Sequence, residues 1–294
     1  MPYADLPGAR LYYEDEGAGE PLVLLHGIGA SSQDWAFQLP AFARKYRVIA
    51  PDLRGFGLSE KAGNYGVATF ARDVWQLLER LGLERFHLIG HSMGGAVALQ
   101  MAVDQPQRIE RLVAADTLPS FQANTFGKRI LFAYRYAMMS MFGPQRLSAA
   151  VALKLFPHPN QQALRDRAVA GGLANDRNVY LKTLKQLLGW NVLDRLTALT
   201  MPVLVVAAEH DYFPVVDAEL FAAALPQGRL KVFAGMHHAL PLESPQAFNT
   251  AVLRFLAGQG VGKPVKVKGG ARQAAQKLKE EPEAIGAVPG PDRA

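Results

Sequence analysis

Cysteine is missing from all 294 residues, which excludes disulfides, thiolate metal sites and a cysteine nucleophile. Long hydrophobic runs are missing too. No uninterrupted apolar stretch approaches the roughly 18 residues that a membrane span requires. The start, Met1-Pro2-Tyr3-Ala4-Asp5, lacks a basic segment followed by an apolar one. No secretory leader is therefore expected, and the cytoplasm is the expected location. Charge of one sign is also scarce where it would matter. From Gln259 to Ala294 seven Lys/Arg face four Asp/Glu, so half of the net charge of +6 lies in that terminal stretch. The surplus left on the body is too small to point to nucleic acid or another polyanion as partner.

What is present is an ordinary globular composition, 49% hydrophobic and 20% charged. Short apolar runs alternate with helical patterns, which predicts an α/β fold with a mostly parallel sheet flanked by helices. Strands are expected at 21–26, 46–50, 86–89, 111–115, 202–208 and 229–234, with an antiparallel edge strand at 11–14. Leu22-Val23-Leu24-Leu25 is apolar at consecutive positions, as strands buried on both faces are. Val67, Phe70, Val74, Leu77, Leu78 and Leu81 fall on one helical stripe. Between 119 and 199 the strand signal vanishes, and helices are expected near 124–142, 145–155, 160–172 and 177–189. That stretch is rich in Phe, Tyr and Met, which reads as a helical cap packed around its own small core. The expected organisation is a core of 1–118 and 200–258, a cap of 119–199, and a basic, unstructured tail of 259–294 with a transient helix around 271–281.

Chemistry concentrates at Gly90-His91-Ser92-Met93-Gly94, a G-x-S-x-G pattern between an apolar strand and an apolar helix. A nucleophile on so sharp a strand-to-helix turn has strained backbone, and the residues two before and two after it must be tiny. The turn also sets Ser92 at a helix N-terminus, where free N–H groups favour developing negative charge. A serine needs a base, and in this arrangement an acid and then a histidine follow the nucleophile along the chain. Of the seven histidines only His237 and His238 come after both Ser92 and a suitable acid. Asp211, beyond the strand at 202–208 and before Pro214, is the candidate acid, holding the histidine tautomer. The loop His26-Gly27-Ile28-Gly29 aims the Ile28 N–H at the oxyanion, partnered by the Met93 N–H.

These segments resemble the α/β-hydrolase superfamily, in its branch of serine esterases and enol-lactonases, from about residue 11 to 256. The resemblance is carried by His26-Gly27-Ile28-Gly29-Ala30-Ser31-Ser32 with Trp35, by Pro51-Asp52-Leu53-Arg54-Gly55-Phe56-Gly57-Leu58-Ser59, by the elbow, and by Gly235 through Pro245. The family's glutamate five residues after the histidine, here Glu243, selects His238 and leaves His237 where a glycine is usual. Asp52 and Arg54 are implied to be structural, and some relatives place the acid where Asp116 stands. Relatives that cleave halides or epoxides use aspartate at the elbow, and carbon–carbon hydrolases carry Trp where this chain has Ala239.

The resemblance implies hydrolysis of carboxylic esters through an acyl-enzyme on Ser92, with no cofactor and no metal, and the Phe, Tyr and Met content of the cap points to small apolar or aromatic ones. Enol-lactonase, thioesterase and perhydrolase activity use the same machinery. A dinucleotide site is disfavoured because Ser32 interrupts the Gly27-x-Gly29 fingerprint. A non-catalytic ligand receptor is disfavoured because all three members of the triad are present.

Overall fold

The consecutive apolar runs become strands whose alternate residues feed two separate cores. The computed structural model describes residues 2–124, 126–267 and 269–280. Its strands are β1 (Tyr3–Leu6), β2 (Ala9–Glu16), β3 (Glu20–Leu25), β4 (Tyr46–Pro51), β5 (Phe86–His91), β6 (Ile109–Ala115), β7 (Val203–Ala208), β8 (Gly228–Phe233) and β9 (Lys263–Pro264). They form one sheet in the order β1-β2-β4-β3-β5-β6-β7-β8-β9. The pairings from β4 through β8 are parallel, and β1, β2 and β9 join antiparallel. Val23, Leu25, Leu88 and Val205 face one core, while Leu22, Leu24, Ile89 and Leu204 face the other. Burial on both faces thus explains the unbroken apolar runs.

The helices α1 (Leu39–Phe42), α2 (Val67–Arg80), α3 (Met93–Asp104), α4 (Phe126–Leu155), α5 (Gln162–Leu173), α6 (Arg177–Leu187), α7 (Val215–Ala224), α8 (Leu240–Glu243), α9 (Pro245–Leu256) and α10 (Gly270–Lys279) cover the sheet and build an insertion. Helices α2, α3 and α7 supply one core with Phe70, Val97 and Phe221, and α1 and α9 supply the other with Phe42 and Phe255. α9 begins with Pro245 after Ser244, whose side chain makes no capping bond. Among the described residues no helix is long and apolar enough to cross a membrane.

Three expectations change. The strand expected at the edge is β2, and β1 lies outside it, paired Tyr3 with Tyr12. β1 has no apolar run to announce it. The insertion between β6 and β7 is helical, and α4 breaks at Gly143 (φ 73°) before Pro144, between the two helices expected there. Only part of its aromatic content is core, however: Phe132 and Met139 are buried, whereas Phe126, Tyr134, Tyr136, Met141 and Phe142 are exposed.

The third change is the tail, expected to be unstructured from residue 259 but for a transient helix around 271–281. Over 259–280 this is corrected. β9 pairs with β8, the Arg229 guanidinium donates to the carbonyls of Val261 (2.6 Å) and Gly262 (2.7 Å), and α10 buries Ala274 and Leu278 in the first core. Val265, Val267 and Ala275 pack beside them, and Val261 joins the second core. The remainder of that stretch, 281–294, lies outside the described residues.

Candidate active site

Ser92 sits where β5 turns into α3, with φ 54° and ψ −121°. A non-glycine residue there carries steric strain, and the surroundings hold it in place. Its N–H donates to the Ala115 carbonyl at 2.9 Å, and its own carbonyl accepts from the Thr117 hydroxyl at 2.8 Å. The flanking glycines are required by space. A Cβ on Gly90 would lie 2.3 Å from the Gly94 carbonyl oxygen, and one on Gly94 would lie 2.1 Å from that of Leu25. The loop after β3 presses equally close, since a Cβ on Gly27 would be 3.2 Å from the Ser92 Cβ. Ile28 follows in that loop. Met93 opens α3, so its N–H has no acceptor within the helix.

His238 enters from the loop after β8. Its Nε2 is 2.9 Å from the Ser92 Oγ, and its Nδ1 is 2.5 Å from the Asp211 Oδ1. The carboxylate oxygen accepts, so Nδ1 carries the proton and Nε2 is left to accept from the serine hydroxyl. Both side chains are shielded, the imidazole 10% and the carboxylate 2% exposed. The Tyr212 ring, 4.7 Å between centroids, and the Phe213 ring, 5.8 Å, wall the imidazole on the insertion side of Asp211. Ser92, His238 and Asp211 are therefore in one hydrogen-bonded chain.

Asp116 is excluded from that chain. It stands at φ 47°, its Oδ1 accepts from the Ala208 N–H at 3.1 Å, and its Oδ2 faces His91 at 3.5 Å. Burial pushes its carboxyl up to about 6, opposed by the hydrogen bond to His91. Burial works against a charge on His91, but the neighbouring Asp116 more than offsets it and raises that pKa. His91 Nε2 lies 2.7 Å from the His238 carbonyl oxygen, so this nitrogen donates and ties the elbow to the histidine loop. That contact is invisible in sequence, where the position reads only as the variable residue of the elbow.

His26 and His237 hold structure. His26 Nε2 accepts from the Leu53 N–H at 2.9 Å, so its Nδ1 donates to the Gly27 carbonyl at 2.8 Å. Burial, the largest effect, lowers its pKa in keeping with this neutral form. Asp52 accepts from the Ser32 N–H (2.6 Å) and the Leu58 N–H (2.8 Å), and Arg54 makes a double hydrogen bond to Asp73. His237 bonds to Glu243, Nδ1 to Oε1 at 2.9 Å, while its N–H reaches Oε2 at 2.5 Å. With His158 these side chains bring three donor atoms within 4.8 Å of one another. Glu243 is already committed, since Gln161 also donates to its Oε1 at 2.9 Å.

Above Ser92 lies a cavity of about 130 Å³, walled by the β3 loop, His238, and the insertion residues Arg135, Met139, Leu147 and Tyr180. Arg135 escapes notice in sequence. It is a lone cation within the aromatic and methionine-rich run of the insertion, and only that contrast marks it.

The model of the alpha/beta hydrolase fold family matches residues 20–245. A relative from Variovorax paradoxus named "Putative carbamate hydrolase RutD" is 34% identical over 262 residues, spanning 84% of this chain and 96% of its own. A solved hydrolase from Pseudomonas aeruginosa is 31% identical with a TM-score of 0.78, over 87% of this chain and 97% of that one. The enol-lactonase of Burkholderia xenovorans superposes with a TM-score of 0.80 at 23% identity, over 87% and 100%, which is a likeness of fold.

Proposed function

The chain belongs to the alpha/beta hydrolase fold family and is a hydrolase of that fold, and from that premise we propose that it is a serine hydrolase cleaving a small carboxylic ester through an acyl-enzyme on Ser92. The observation that carries this reading is the chain Ser92 Oγ, His238 Nε2, His238 Nδ1, Asp211 Oδ1, with links of 2.9 and 2.5 Å. His238 takes the hydroxyl proton as Oγ attacks the ester carbonyl carbon. Asp211 holds the tautomer and stabilises the imidazolium. The oxyanion is received by the N–H groups of Ile28 and Met93. Collapse expels the alcohol, which takes the proton from His238, and water then releases the acid by the same route.

In this reading residues 119–199 serve as a cap over a core of 1–118 and 200–258. The chemistry is complete without a cofactor or metal. The name of the Variovorax relative favours a second reading, in which the acyl carbon belongs to a carbamate. A nitrogen beside the carbonyl would then slow attack without changing the residues in use.

Two measurements test the proposal. A fluorophosphonate probe is expected to label the wild type and to leave Ser92→Ala unlabelled. A panel of 4-nitrophenyl esters of graded acyl length, with a matched N-methyl carbamate, is expected to show turnover on short esters first. Labelling of the Ser92→Ala variant at the wild-type rate would overturn the assignment of the nucleophile.

A further inference from the structure

The cavity over Ser92 holds an unusual cation. Its lining includes three charged side chains, Asp34, Arg135 and Arg167. Burial raises the Asp34 pKa, opposed in part by His26, His91 and Arg167. Arg167 also donates to the Gln33 carbonyl at 2.5 Å. Arg135 has no such arrangement. Among the described residues no carboxylate lies within ion-pair distance of it. Other enclosed arginines here are matched: Arg54 is doubly bonded to Asp73, and Arg47 to Asp15.

What surrounds Arg135 is aromatic and phenolic rather than anionic. Its guanidinium carbon lies 4.9 Å from the centroid of the Tyr212 ring, an interaction with a ring face that consumes no N–H donor. Burial opposes the charge, and Tyr180 and Tyr212, both within hydrogen-bonding reach of the guanidinium, more than offset it. Among the described residues the buried Tyr212 hydroxyl has no hydrogen-bond partner other than this guanidinium. A guanidinium with five N–H donors and only two phenol oxygens to receive them thus occupies one corner of a cavity otherwise walled by Met139, Leu147, Val151 and Leu155. The same Tyr212 ring touches the His238 imidazole, so one aromatic side chain links this corner to the reacting centre. Enclosed charges are retained where they are paired, and here the missing partner is an anion.

We propose that the substrate is a carboxylic ester bearing a second, free carboxylate, and that Arg135 receives this carboxylate while Ser92 attacks the ester. This rests on the acyl-transfer reading above. Guanidinium and carboxylate match as two parallel hydrogen bonds, and a cavity of this size holds a group of about benzene's bulk. A monoester of a short dicarboxylic acid meets both conditions.

The test compares 4-nitrophenyl hydrogen glutarate, with one carboxylate, and neutral 4-nitrophenyl pentanoate, of similar length. In Arg135→Gln the ratio of kcat/KM for the anionic over the neutral ester is expected to fall about thirty-fold or more, mostly through KM for the anion. Arg135→Lys is expected to restore part of it. An unchanged ratio would overturn the proposal. Binding is read separately, by calorimetry of glutarate with Ser92→Ala. Affinity is expected to drop at least about tenfold when Arg135→Gln is added, and equal affinity in the two would overturn the proposal. Should Arg135→Gln not fold, the wild type decides: glutarate is expected to inhibit competitively where pentanamide does not, and no inhibition by glutarate overturns the proposal. Failure of the acyl-transfer reading looks different, with glutarate bound and neither ester turned over.

Discussion

Two histidine–carboxylate pairs stand side by side after β8, and they have opposite outlooks. His238 and Asp211 face inward, and the free imidazole nitrogen meets a strained serine 2.9 Å away. His237 and Glu243 face the insertion, where Gln161 donates to the carboxylate and the His158 ring lies 5.7 Å from that of His237. Chemically the two pairs are alike. What separates them is what the far side of each ring meets. A histidine–carboxylate pair is a proton relay only when a nucleophile completes it, and otherwise it is a fastening.

Replacing one member of each pair breaks the comparison in the most visible way. His238→Ala is expected to lower kcat by about a million-fold, measured on a short 4-nitrophenyl ester. His237→Ala should cost less than about tenfold, because no proton passes through it. Equal losses would mean the two pairs share the work. The carboxylates give the next largest contrast. Asp211→Asn is expected to reduce kcat by about 10⁴, since the amide favours the wrong imidazole tautomer.

Glu243→Gln should leave most turnover intact and instead cost about 2 kcal/mol of stability in urea, for it turns an amide NH₂ toward existing donors. A loss of kcat as large as that of Asp211→Asn would merge the two roles.

The smallest effect separates Asp211 from the third carboxyl nearby, Asp116. The pKa of Asp116 is pushed from 3.8 up to about 6, chiefly by burial. A carboxyl raised on folding costs stability above its unfolded pKa, and that cost grows as pH climbs from about 4 to 6. His91, whose pKa Asp116 raises, adds stability at low pH that is lost as pH rises. Both shifts have the same sign. The stability of Asp116→Asn relative to wild type is therefore expected to improve between pH 4.5 and 7.5, by on the order of 1 kcal/mol. A difference independent of pH would count against the burial argument.

Much of the site was legible in sequence because hard sterics dictate it. Gly90 and Gly94 are glycine because any Cβ would enter a neighbouring carbonyl, and the pattern therefore survives as letters. The choice of His238 over His237 came from the spacing to Glu243, although Glu243 proves to bond to His237. The main strands read well, since burial on both faces leaves unbroken apolar runs. Elements stabilised by few contacts read badly. β1 has four residues, and α10, expected only as a transient helix around 271–281, offers Ala274 and Leu278 amid lysines. Arg135 was illegible for a different reason: a cation in an aromatic helix looks like any snorkelling side chain until its lack of a carboxylate partner is seen in space.

The last helix has a mechanical consequence. The Asn124 amide, just before α4, donates to the Lys279 carbonyl at 3.3 Å, and Lys279 pairs with Asp194, beyond α6. α10 therefore fastens together the two stretches through which the helical insertion joins the sheet. Such coupling is reciprocal: a ligand in the cavity that shifted the insertion would also change how readily this helix frays. Amide exchange along 270–279 is then expected to report such a shift, and a fusion partner attached close behind Lys279 would load the same junction.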